Sequence, residues 1–130
     1  MHGIEKINLI AAWCSILLGL TGGLAQGMFF HNENWLGGYG SWTRRLMRLG
    51  HISFFGLAFL NLAFVQFVSY FQYRGEDLQL MSTLYLVGLV SMPTVCYASA
   101  CKQPLRWFFA IPIITLIWAT GLVVYRVSTQ

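Results

Sequence analysis

Four long apolar stretches, residues 7–29, 46–70, 78–100 and 105–125, decide what this chain of 130 residues can become. Crossing ~30 Å of hydrocarbon as a helix takes about 20 apolar residues, so each stretch is long enough and together they use most of the chain. Lipid offers the backbone no water to bond with, and the helix satisfies its own N–H and C=O groups. The expected fold is therefore all-α: an integral membrane four-helix bundle, one transmembrane domain over residues 1–130. Charged residues make up 9% of the sequence, against roughly a quarter in an average soluble domain. No separate soluble domain fits.

The first stretch is too long for a signal-peptide core and shows no small-x-small cleavage pattern before Gly22, so it is read as a retained span. The connections are "FHNENWLGGYGSWTRR", "FQYRGED" and "CKQP". The shortness of the last two predicts that spans two, three and four are antiparallel neighbours.

Flanking charge predicts orientation. Arg44, Arg45, Arg48, Lys102 and Arg106 lie on the side of the first and third connections, whereas Lys6, Arg74 and Arg126 lie opposite. The positive-inside rule then places those two connections in the cytoplasm and both termini on the non-cytoplasmic side. Trp35, Trp42 and Trp107 are expected at the inner interface, and Tyr70, Tyr73 and Tyr125 at the outer one. The net charge of +4 is spread over helix ends. That pattern suits anionic phospholipid, with Arg44, Arg45 and Arg48 as the lipid-binding group, and gives no continuous basic face for nucleic acid.

Along the first span Ala11, Ser15, Gly19, Gly23 and Gly27 recur every four residues. Inside lipid, close backbone approach and dispersion drive helix association, and a ridge of small side chains permits both. Ser15, Gly19, Gly23 and Gly27 are therefore the expected helix-packing residues, toward another helix of this chain or of a partner. A flat macrocycle lying on the glycines is the second use of such a ridge.

His51 is the polar group that stands out. On a helical projection it shares a face with Arg44, Met47, Ala58, Asn61 and Ser69, and polar groups in a bilayer turn toward protein or a water-filled cavity. His31 continues the ridge of the first span if that helix runs so far. Pro93 and Pro112 are expected to kink their helices at one level and splay the bundle. Met28, His31, Met47, His51, Cys96 and Cys101 would then surround a cavity. A b-type haem would use His51 and His31 as axial ligands and Arg48 toward its propionates. Copper(I) would use Met47 and His51, with Cys96 beyond. A quinone head group would need His51 and one further donor. A purely structural histidine, bonded to a carbonyl or snorkelling toward water, is the fourth reading.

Other chemistries find no support. Glu5, Glu33, Glu76 and Asp77 all fall at span ends or connections, so no proton relay through the bilayer is indicated. No serine, histidine and carboxylate converge at one level, and the glycines of "WLGGYGSW" lack the strand and lysine of a phosphate loop. Cys14, Cys96 and Cys101 form no CxxC pair. The sequence thus points to a small accessory subunit of a larger membrane assembly, respiratory or otherwise redox, without catalytic activity of its own. It would pack on other integral membrane subunits and hold anionic phospholipid. An electron-transfer protein carrying haem b or quinone beside His51 is the alternative, and copper handling for oxidase assembly a third.

Overall fold

The computed structural model describes residues 3–129. It is an all-α bundle of four helices, each long and apolar enough to span a membrane: α1 (Gly3–Gly27), α2 (Trp42–Tyr70), α3 (Leu78–Cys101) and α4 (Ala110–Ser128). The last is preceded by 3-10 turns over Gln103–Phe109. Consecutive helices pack on one another, and α1 also touches α3.

Each helix departs from its apolar stretch in a way that local chemistry explains. α1 begins before residue 7 and ends at Gly27, where the chain enters turns, so His31 lies beyond the helix. α2 starts at Trp42, ahead of the apolar run, because Ser41 caps it: the Ser41 hydroxyl accepts from the Arg44 N–H at 3.2 Å and donates to the Leu36 carbonyl at 2.6 Å. Pro112 is the third residue of α4, where its missing N–H has no helical acceptor to lose. Pro93 stands in the middle of α3, whereas Pro112 falls just after the 3-10 turns at the start of α4, so the two prolines hold unlike places in their helices. Leu89, whose carbonyl Pro93 leaves without a helical donor, and Pro93 itself both line an apolar groove of about 430 Å³ between α1, α2 and α3.

Because the helices alternate in direction, the bundle has two unlike ends. Arg44, Arg45, Arg48, Lys102 and Arg106 share one end with Glu33 as its lone carboxylate, so the whole net positive charge gathers there. At the other end the charges pair: Arg74 bonds Glu5 at 2.9 Å and Arg126 bonds Asp77 at 2.9 Å. We call these the basic end and the paired end. The main apolar cluster, Phe64, Phe67, Val68, Tyr73, Leu78, Met81, Tyr85 and Ala119, fills the paired half. Tyr73 is part of that core, its hydroxyl bonded to Asp77, whereas Tyr70, Tyr125 and Trp107 stay exposed.

The face that α1 buries is Glu5, Asn8, Ala12, Ser15, Gly19 and Gln26. Those positions step by three, four, three, four and seven, the spacing of a heptad-type seam rather than of a strict four-residue ridge. Its polar members make bonds between helices. Asn8 Nδ2 donates to Asn61 Oδ1 at 2.8 Å and to the Ser82 carbonyl at 3.5 Å, and the Ser82 hydroxyl donates back to Asn8 Oδ1. Asn61 Nδ2 donates to the carbonyls of Leu57 (3.0 Å) and Tyr85 (3.5 Å). Both amides are thus fully used, which is what burial in an apolar interior demands.

Candidate functional site

The surroundings of His51 are built by α1, α2 and the chain between them. Gly23 supplies the floor. A Cβ placed on it would lie 2.6 Å from His51 Cε1 and 3.0 Å from Nε2, so the ring occupies space that any other residue would fill. Phe55 meets the ring edge-on, with centroids 5.4 Å apart. Beside it opens a recess of about 220 Å³ lined by Gly23, Gln26, Phe30, Arg48, His51 and Ile52. Phe30 and Ile52 are both exposed at its rim. His51 Nδ1 is buried and has no hydrogen-bond partner.

Arg44 organises the wall. It is buried, and its guanidinium lies 5.4 Å from the Phe30 centroid, 5.6 Å from that of Trp35 and 5.5 Å from that of Tyr39. Nη1 also reaches the Glu33 carbonyl at 3.4 Å. Arg48 stacks on Tyr39 at 4.1 Å and donates to its carbonyl at 3.3 Å. Two of the three clustered arginines therefore hold the first connection against the bundle by cation–π contact, and Arg45 is the one fully turned outward. Trp35 stacks on Phe29 with centroids 5.5 Å apart and completes the aromatic cover.

Of the other residues singled out from sequence, some come together and some do not. Gly19 lies against Phe55, as Gly23 lies against His51, and Ser15 Oγ donates to the Phe54 carbonyl at 2.8 Å; all three serve the α1–α2 seam. Gly27 is exposed, and a Cβ there would meet nothing within 4 Å. His31 is exposed past the end of α1 and does not line the recess, nor does half-buried Met47. Met28 and Cys101 are exposed, and Cys96 is buried against Gly50 in the α2–α3 seam. The soft donors thus do not surround one cavity. Among the described residues no three His, Cys, Asp or Glu side chains form a metal-binding group.

The sequence reading had passed over Asn8, Ser82, Gly50 and Gly88. A Cβ on Gly50 would be 3.0 Å from the Tyr97 ring, and one on Gly88 would be 2.4 Å from Leu116. Each seam between consecutive helices therefore has a glycine in it. Asn8 and Ser82 were detectable in principle, since both lie in the first two turns of helices that start at the same end of the bundle.

Comparison with protein-family models, with characterised proteins and with solved structures finds no match to this chain.

Proposed function

We propose that this protein is an accessory subunit of a larger membrane assembly, acting through helix packing rather than through catalysis. The observation that carries the reading is the state of α4, whose only buried residues are Pro112 and Ala119. It docks on α3 through these and half-buried Leu116, Leu122 and Val123, and leaves its opposite face open. Beside Ala119, Thr120 is exposed and a Cβ on Gly121 would meet nothing within 4 Å, so a small-residue groove of Leu116, Ile117, Thr120, Gly121 and Val124 faces outward. Small residues at such a place let a second helix approach closely.

In this reading the basic end lies in the cytoplasm and both termini lie outside. Arg45, Lys102 and Arg106 are exposed there, where anionic head groups would meet them. The interior polar groups serve assembly of the bundle itself, since Asn8, Asn61 and Ser82 are spent on one another.

A photo-crosslinking residue at Gly121 tests this in native membranes solubilised in mild detergent. We expect one discrete membrane partner, lost together with the large complex on Gly121→Leu, while a crosslinker at Trp13 on the outer face of α1 does not capture it. A monodisperse monomer, or a complex indifferent to Gly121→Leu, overturns the proposal.

A further inference from the structure

We propose that the recess beside His51 binds the head ring of a lipid-soluble quinone, with His51 Nε2–H donating a hydrogen bond to a ring carbonyl. This goes beyond the packing role and does not depend on it.

The tautomer comes first. A neutral imidazole has one N–H and one acceptor nitrogen. His51 Nδ1 is buried without a partner. An orphaned buried N–H is rarer and more costly than an orphaned lone pair, so the proton belongs on Nε2. Nε2 in turn lies 3.0 Å from where a Gly23 Cβ would stand, at the wall of the recess. The site therefore offers a donor and asks for an acceptor. A carbonyl oxygen meets that need, whereas a cation does not.

Size and lining narrow the ligand further. The recess measures about 220 Å³, below the ~300–1,000 Å³ of pockets that enclose a whole ligand. A haem would not enter it, and a single six-membered ring with short substituents would. The absent Gly23 side chain lets the His51 ring seat against α1 beside the recess, and Phe30, 5.4 Å from the Arg44 guanidinium, supplies an aromatic wall. Phe30 and Ile52 are exposed on the outer surface of the bundle, so the recess opens sideways. A ligand with its ring inside and an isoprenoid tail along the apolar helices fits that opening. A phosphate head group fits poorly, because Arg48 is already stacked on Tyr39 and bonded to its carbonyl.

The test uses the full chain with 15N-labelled histidine in phosphatidylcholine nanodiscs, and a dimethoxy-methyl-benzoquinone with a decyl tail as probe. His31→Gln and His2→Gln assign the imidazole signals. We expect the His51 Nε2–H resonance to shift saturably with the quinone and not with decylbenzene. His51→Leu should weaken binding by about tenfold, the effect of one lost hydrogen bond to a buried partner, and His51→Gln, which keeps a donor, should retain part of it. Gly23→Ala should displace the His51 ring and weaken binding; if that variant does not fold, the wild-type titration still decides. An unmoved resonance, an equal response to decylbenzene, or displacement of the quinone by phosphatidylglycerol at modest content would overturn the assignment.

Discussion

Asn8 of α1 donates to Asn61 of α2 across 2.8 Å, and both side chains are wholly inaccessible to solvent. With Ser82 of α3 they join three helices through side-chain groups whose other bonds go to backbone carbonyls of Leu57, Ser82 and Tyr85, with no water in an apolar interior to replace a lost partner. Removing one member strands the others. Asn61→Leu is therefore expected to destabilise the bundle by about 1–2 kcal/mol, at the upper range for polar contacts between membrane helices. Adding Asn8→Leu should cost much less than the first change did. Reversible unfolding in mixed micelles measures both steps, and strict additivity would show that the two amides do not act together.

Two glycines of α1 three residues apart, Gly19 and Gly22, should respond oppositely. Gly19→Ala brings a methyl group 2.7 Å from the Phe55 ring, and an aromatic ring packed in a seam yields poorly. A loss of about 1–3 kcal/mol is expected from such overpacking. Gly22→Ala meets nothing within 4 Å. It should be neutral or stabilise by up to ~1 kcal/mol through helix propensity. The same unfolding assay compares them, and equal destabilisation would refute the packing described for α1 and α2.

Arg44 holds Phe30, Trp35 and Tyr39 at once. Arg44→Ala should loosen residues 28–41, read as faster amide exchange and faster proteolysis of that segment with α3 and α4 unaffected. Arg44→Lys should rescue it only partly, because an ammonium lacks the flat face that stacks on rings. Full protection in Arg44→Ala would mean that the connection is held by other contacts.

The paired end should show a defined pH response. Burial works against the Asp77 carboxylate, but hydrogen bonds from Tyr73 and Arg126 outweigh it and hold its pKa below the ordinary value of 3.8. Its contribution is present above that value and is lost as pH falls through the lower folded pKa. Tyr73 is shifted the other way, first by burial and then by its bond to Asp77, so its pKa stands above 10.0. That contribution is complete below the ordinary value and disappears as pH rises through the folded one. Stability should thus be flat between the two limits and decline beyond each. In Asp77→Asn the acid decline should shrink; an unchanged acid limb would assign it to other carboxylates.

Sidedness is open to direct labelling. In a chain whose three cysteines are replaced by serine, Asn34→Cys at the basic end should resist a membrane-impermeant maleimide in intact cells, and Glu76→Cys at the paired end should react. The reverse pattern would turn the bundle over and put both termini in the cytoplasm.

How much of this was legible before folding depends on the kind of signal. Apolar length alone announced four spans, because a bilayer filters by length and hydropathy, and those properties are local. The charges that distinguish the two ends were likewise visible, since each sits next to the span it terminates. Element ends were less so: Ser41 begins α2 ahead of the apolar run because one hydroxyl meets one N–H, a geometric matter to which hydropathy is blind.

The site lay beyond that local information. His51 stood out by its chemistry, yet its neighbours come from Gly23 and Gln26 on one helix and Phe30 in a connection. His31, aligned with the ridge by spacing, dropped away when α1 stopped at Gly27. Arg44 looked like a lipid contact in a row of arginines, and three rings brought in by the turn of the connection enclosed it. The residue order by itself determined four helices each long and apolar enough to cross lipid, because transfer of apolar length into hydrocarbon needs no partner. Only the tertiary structure decided which polar groups meet, because a hydrogen bond or a stacked cation depends on ångström distances between helices that the order of residues does not contain.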